Sequence, residues 1–277
     1  MEFKLPLREQ FSNKSTFGKV LNIAGSEYYT GAAYLSSLSA LKVGCGYVAL
    51  SSSPKVINTM ALKTSDVVFV PITDVKKALN NYDVVLLGCG LSVDLSVSIL
   101  FKALMESLAN FQGPVVLDAD GLNLLSKIKK EIDLPENLII TPHPKEASRL
   151  LGVEVDEIVN NPTFYAKALS EKYSCITVLK LHSTVVCSKD FDIYINETGN
   201  SSLAKAGTGD VLAGMIAGLC AQQNSLKYSL FDIAKLAVYL HGRAGEFASS
   251  MLSEYSVLAS DLLNYIPMAI MEITVKN

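Results

Sequence analysis

Charge is scarce in this sequence of 277 residues: Asp, Glu, Lys and Arg together make up 18% of it, and 27 acids against 24 bases leave a net charge of −3. That balance has no basic footprint for nucleic acid, so any anionic ligand must be held by local features. Long apolar runs are missing too. The mean hydropathy is high at +0.30, yet the longest nearly uninterrupted apolar stretch, Val211 to Ala221, falls far short of the ~20 residues a membrane-spanning helix needs. The first nine residues carry charges of both signs and no apolar core, which excludes a secretory signal there. The five cysteines (Cys45, Cys89, Cys175, Cys187, Cys220) form no C-x-x-C pair and are odd in number, so they read as buried free thiols in a reducing, cytoplasmic setting. No Gly-Lys-Ser/Thr stands at P-loop spacing. Gly88-Cys89-Gly90 continues as Leu91-Ser92-Val93 without the third glycine of a dinucleotide fingerprint.

What is abundant is apolar: 49% of the residues are hydrophobic, enough for a large core. Short β-branched runs alternate with helical patterns. Strands are predicted at Val20–Ala24, Gly46–Leu50, Asp66–Val70, Asp83–Gly88, Pro114–Asp118, Leu138–Thr141 and Ile176–Lys180. Helices are predicted at Thr30–Val43 and Val93–Ala109 between them. Near-continuous Val/Ile/Leu strands imply a mostly parallel sheet buried on both faces, an α/β/α three-layer fold. Thr184–Ser188 and Phe191–Ile195 around Lys189-Asp190 then predict an antiparallel hairpin at one edge. Helices over Gly209–Ala221, Leu230–Met251 and Val257–Tyr265 close the chain. No repeat or linker interrupts the pattern, so residues 1–277 read as a single domain.

Ligands bind open parallel sheets at the carboxyl ends of the strands. The residues predicted there are Gly25-Ser26, Gly88-Cys89-Gly90, Asp118-Ala119-Asp120, Thr141-Pro142-His143 and Lys180. The sharpest signal follows Asn196-Glu197-Thr198-Gly199-Asn200, where Gly207-Thr208-Gly209 opens straight into an apolar helix. Unencumbered backbone N–H groups and the helix dipole suit such a turn to an anion. Asp210 in the first turn reads either as a helix cap or as a general base beside a bound phosphate; a buried helix start favours the base.

Gly207-Thr208-Gly209-Asp210 followed by Val211-Leu212-Ala213-Gly214 resembles the anion hole and catalytic base of ribokinase-like kinases. Ala24-Gly25-Ser26 with Tyr29-Thr30-Gly31-Ala32, Leu117 to Asn123, Thr141 to Glu146, His241 to Gly245 and Ala259 to Leu263 resemble the ADP-dependent NAD(P)H-hydrate dehydratases in order and spacing, over residues 14 to 268. The resemblance implies a lyase that phosphorylates the S epimer of hydrated NADH or NADPH from ADP, with Mg²⁺, and then eliminates phosphate. Asp210 would be the base, and Gly207, Thr208 and Gly209 the anion hole. Ala32, Gly90, His143 and Asp210 would hold the hydrate; Lys180, Leu181, His182, Ser183, Thr184 and Gly209 would hold the adenine nucleotide. Candidate metal residues are Asp118, Asp120 and Glu146. Asp120 reads equally as an N-cap, Glu146 more simply as a residue matched to a helix dipole, and His241 as structural. A homo-oligomer such as a tetramer and a separate NAD(P)H-hydrate epimerase are the implied partners. A ribokinase-like vitamin kinase (for hydroxymethylpyrimidine, hydroxyethylthiazole or pyridoxal) and a non-catalytic nucleotide-binding protein are the alternatives.

Two departures bear on the site. Leu181-His182 follows Lys180 where the family usually has glycine, and Gly88-Cys89-Gly90 stands where it usually has Gly-Pro-Gly.

Overall fold

A computed structural model describes residues 3–6, 8–128 and 132–274. Met1, Glu2 and Leu7 of the charged N-terminal segment lie outside them. Nine strands form one sheet: β1 (Lys19–Ile23), β2 (Tyr47–Ser52), β3 (Val68–Pro71), β4 (Val84–Leu87), β5 (Val115–Leu117), β6 (Leu138–Ile140), β7 (Ile176–Leu179), β8 (Val185–Cys187) and β9 (Ile193–Ile195). Their order is β3-β2-β1-β4-β5-β6-β7-β8-β9. Every pair from β3 to β7 is parallel, and β7–β8 and β8–β9 are antiparallel. The doubly wound sheet with an antiparallel edge hairpin is thus as the sequence predicts.

Strand periodicity divides the core in two. In β4, Val84 and Leu86 face one side while Val85 and Leu87 face the other, and all four are fully buried. The first face is covered by α1 (Thr30–Lys42), α9 (Thr208–Ala221), α11 (Leu230–Leu252) and α12 (Ala259–Ile273). On the second lie α4 (Leu95–Leu108), α5 (Asp120–Ser126), α6 (Pro144–Leu151) and α8 (Pro162–Tyr173). Short helices α2 (Pro54–Lys63), α3 (Val75–Ala78), α7 (Val155–Asn160) and α10 (Gln223–Leu226) fill the connections. With each fully buried Leu, Ile or Val worth about 1.5–3 kcal/mol, these two faces account for the high hydropathy without a membrane. Among the described residues no helix is long and apolar enough to cross one.

The last helix departs from expectation. The sequence pattern predicts a helix over Val257–Tyr265, but α12 runs on to Ile273 with Pro267 inside it. Buried Ile266 and Ala269 anchor both sides of the proline against the first core, and that burial outweighs the lost backbone hydrogen bond. All five cysteines are buried and free.

Strand order reverses beside β1, with β2 and β3 on one flank and β4 onward on the other. At this switch the loops after β1 and β4 meet: the Gly25 N–H donates to the Cys89 carbonyl (2.8 Å). Such a crevice is where open α/β sheets bind ligands.

Candidate functional site

The glycine turn before α9 builds as the sequence suggests. Gly207 is the N-cap, with φ +95°, a left-handed conformation that favours glycine. The Thr208 N–H goes to the Lys205 carbonyl and the Val211 N–H to Gly207. The N–H groups of Gly209 and Asp210 have no backbone acceptor among the described residues, which is the orphan pair a helix start offers an anion. The Thr208 hydroxyl is spent inside the turn, donating to the carbonyls of Leu203 (2.8 Å) and Lys205 (2.9 Å). From α11, His241 Nε2 lies 2.9 Å from the Thr208 carbonyl. A carbonyl only accepts, so Nε2 carries the proton, and burial keeps the ring neutral by pulling its pKa down to about 4. His241 is therefore a strut for the turn, in line with its structural reading.

Lys180 stands over the same turn. A Cβ on Gly209 would come within 3.3 Å of its Nζ, so glycine leaves the ammonium access to the helix start. The ammonium also pairs with Asp118 Oδ1 at 2.6 Å, and the Thr141 hydroxyl donates to that oxygen at 2.6 Å. Burial lowers the pKa of Lys180, but Asp118 and Glu146 outweigh it and hold the ammonium above its ordinary value. The Lys180 backbone N–H donates to the Pro142 carbonyl (2.8 Å), joining the ends of β7 and β6.

Asp210 is half-buried behind this group. Burial foremost, and then the Asp118 charge, push its carboxyl up to about 6, with Lys180 and the Cys89 thiol opposing them. Among the described residues its carboxylate takes no backbone N–H of its own helix; the N-cap is Gly207. Cys89 is the neighbour that sequence reasoning passed over. Its Sγ, one carboxylate oxygen of Asp118 and one of Asp210 lie within 4.8 Å of one another, and the thiol donates to Asp118 Oδ2 over 3.7 Å. The signal was there in a thiol at a strand's carboxyl end, but nothing along the chain told it from the four core cysteines.

This cluster adjoins a close backbone approach through Gly90 on one side and a cavity through Lys180 on the other. Gly90, next to Cys89, has φ +59°, and a Cβ there would come within 2.7 Å of Ala32 Cβ, so two of the predicted hydrate residues are in contact. On the other side a cavity of about 440 Å³ is lined by Lys180, Leu181, His182, Thr184, Gly209 and His241, among others. Ser183 is exposed and is not part of its wall. Thr198 and Leu203 line it too, close against glycines of α11: a Cβ on Gly242 would strike Thr198 at 2.2 Å and one on Gly245 would strike Leu203 at 2.8 Å. Leu181 has no positive φ, so nothing in the backbone demands glycine there. Its side chain lies partly against the second core.

The three candidate metal residues already carry hydrogen bonds within the protein. Asp118 Oδ1 is committed to Lys180 and Thr141. Asp120 accepts from the Ser92 N–H (2.9 Å) and the Asn123 side chain (3.3 Å). It is not an N-cap either, since that position is Ala119. Glu146 accepts from the His143 N–H (2.8 Å), while His143 Nδ1 accepts from the N–H groups of Lys145 and Glu146. This is a capping box on α6. Burial pushes Glu146 up to about 7 and lowers His143.

The NAD(P)H-hydrate dehydratase family model matches residues 20–268. A bifunctional NAD(P)H-hydrate repair enzyme of Moorella thermoacetica is 35% identical over 95% of this chain and 51% of its own length. An ADP-dependent (S)-NAD(P)H-hydrate dehydratase of Neisseria meningitidis is 34% identical over 92% of this chain and 84% of its own. The chain thus spans about half of the bifunctional relative and most of the other. The crystal structure of an ADP/ATP-dependent NAD(P)H-hydrate dehydratase from Bacillus subtilis, obtained with ATP and Mg²⁺, superposes with a TM-score of 0.85 at 32% identity, covering 98% of this chain and 95% of that one. A family match along nearly the whole chain, together with relatives a third identical over it, establishes that this chain belongs to the NAD(P)H-hydrate dehydratase family.

Proposed function

We propose that the protein restores NADH and NADPH from the S epimer of their hydrates at the expense of ADP. The observation that carries this reading is the Asp210 carboxylate beside an orphaned helix start and the Lys180 ammonium. Asp210 takes the proton of the hydrate hydroxyl, and that oxygen attacks the terminal phosphorus of ADP. The P–O bond to AMP breaks. The N–H groups of Gly209 and Asp210 and the Lys180 ammonium stabilise the charge on the transferring group. Phosphate then leaves with the electrons of the C–O bond, a ring proton is lost, and the nicotinamide double bond returns.

The nucleotide would occupy the cavity bounded by Lys180 to His182, Thr184 and Gly209, and the hydrate the crevice at Gly90, Ala32 and His143. Mg²⁺ would come with the nucleotide and offset charge on its phosphates, and Asp118, Asp120 and Glu146 are the carboxylates that would help to hold it. Single-domain organisation over residues 1–277, a cytoplasmic location, a homo-oligomer such as a tetramer and a separate epimerase belong to the same proposal.

Purified protein given NADPH hydrate should regenerate the dihydropyridine absorbance only with Mg²⁺ and a nucleotide, and parallel runs with ADP and ATP decide between donors. Phosphorylation of a vitamin alcohol with no action on the hydrate would replace this reading with the kinase one.

A further inference from the structure

Thr198, Gly199 and Asn200, between β9 and α9, form part of the cavity wall. They belong to no strand or helix, so no ladder holds them and their place depends on other partners. Three hydrogen bonds tie them to one face of α11. The Thr198 hydroxyl donates to the Tyr239 carbonyl (3.0 Å), the Gly199 N–H to Glu246 Oε1 (2.7 Å) and the Asn200 side-chain amide to Ser249 Oγ (2.8 Å). Tyr239, Gly242, Glu246 and Ser249 repeat at helical spacing. Gly242 in that row lets the loop backbone lie on the helix, since a Cβ there would come within 2.6 Å of the Thr198 carbonyl carbon. Gly199 has φ +101°, a conformation that favours glycine.

Of the three bonds, the one from Gly199 is charge-assisted and therefore the strongest. Glu246 divides its carboxylate. Oε1 takes the loop, and Oε2 takes Arg243 of the same helix. Arg243 in turn grips Glu272 of α12 with two nitrogens, Nε at 2.8 Å and Nη2 at 2.6 Å. The carboxylate that holds the loop is thus itself held by a fixed cation. Glu246 is not part of the cavity wall, so any effect it has on a bound nucleotide passes through the loop.

We propose that Glu246 is a positioning residue for the adenine nucleotide: it fixes Gly199, and with it one wall of the cavity, while leaving the hydrate crevice at Gly90 and Ala32 untouched. The proposal rests on the reading of the cavity as the nucleotide site. Without the carboxylate the loop spends part of its time off α11, and only the docked fraction binds. The apparent Kd then rises by the inverse of that fraction.

Glu246→Ala deletes the acceptor. The Kd of ADP by calorimetry and the KM for ADP should rise about three- to thirtyfold, with kcat at saturating ADP and the KM for the hydrate within about twofold of wild type. Glu246→Gln keeps the side chain's size and offers a neutral acceptor, so a rise of about two- to fivefold is expected even where the Ala variant fails to fold. Glu272→Gln disturbs the ion pair alone and should leave ADP affinity unchanged. Unchanged affinity in a folded Glu246 variant, an equal rise in the KM for the hydrate, or as large a rise in Glu272→Gln would overturn the proposal. The Gly199 amide proton, followed by NMR, reads the contact without turnover: it should move upfield in Glu246→Ala and respond to ADP in wild type. If ADP binds and weakens in Glu246→Ala but hydrate is not turned over, the function fails and the positioning role stands. If Glu246→Ala turns hydrate over at the wild-type KM for ADP, the role fails and the function stands. A wild-type protein that binds no adenine nucleotide would overturn both.

Discussion

Asp210 shows how one side chain is asked to serve two opposed ends. Its folded-state pKa of about 6 compares with 3.8 for a free aspartate. Between those values the unfolded chain has released a proton that the folded chain still binds, so stability declines as pH rises from about 4 to about 6 and stays lower above that. Asp210→Asn removes the liability: the variant is expected to be more stable than wild type by about 1–3 kcal/mol at pH 7 and equal to it near pH 4, by denaturant titration at both. Turnover should fall by about 10²–10⁴-fold while nucleotide binding persists, the loss expected of a missing base. Retention of near-full turnover would leave Asp210 without a catalytic role. Lys180 carries the complementary burden. Lys180→Met strips Asp118, 1% exposed, of its cation, and the expected cost is about 3 kcal/mol, the low end for a broken buried pair because the Lys180 side chain keeps 18% exposure. Adding Asp118→Asn should recover part of that stability but not the nucleotide affinity.

At the scale of elements, the anion turn depends on how closely α9 lies on α1. A Cβ on Gly214 would come within 2.1 Å of the Ser36 carbonyl, and one on Gly218 within 2.4 Å of the Ala40 carbonyl. Those are backbone atoms, which cannot swing aside. Ala in place of a mid-helix Gly ordinarily adds about 0.5–1 kcal/mol. Gly214→Ala should instead destabilise by about 1–3 kcal/mol through overpacking. It should also weaken nucleotide binding, since α9 would have to move. Gly31→Ala on α1, where a Cβ would meet nothing within 4 Å, is the control and should be neutral or mildly stabilising. A Gly214→Ala midpoint at or above that of Gly31→Ala would show that the helices do not touch as described. The helix was legible from its Gly-Ala pattern. The reason its glycines are spaced four apart was not, because α1 lies nearly two hundred residues away in sequence.

Across the whole molecule, the cavity, the anion turn and the Asp118–Lys180 pair draw on β5, β7, α9 and α11, so ligand binding couples distant parts of the chain. A nucleotide that binds only the folded form stabilises it by about 2.7 kcal/mol at a hundredfold excess over Kd. At this size that amounts to several degrees in Tm. ADP should therefore raise the melting temperature in wild type and in Asp210→Asn, and much less in Lys180→Met. An equal rise in all three variants would place the nucleotide away from Lys180.

Read alone, the amino-acid order determined the alternation of strands and helices, the edge hairpin and the Gly207–Asp210 turn. Each of these is written in short-range periodicity, or in a glycine where a left-handed or crowded backbone needs one. It did not reveal that Lys180 is tied to Asp118, since 62 residues separate them, or that Thr141 and Cys89 face that carboxylate. Nor could it separate Cys89 from the other thiols. Nor did it show that the last helix, expected to stop at Tyr265, runs on through Pro267 on the burial of Ile266 and Ala269. Asp120 could be read as a ligand or a cap, and only the folded sheet brought the Ser92 N–H to it, whereas His143 and Glu146 are bound to each other locally at the start of α6. The difference is physical: local backbone preference acts over a few residues, whereas the sharing of a buried charge among strand ends is decided only when the sheet has brought those ends together.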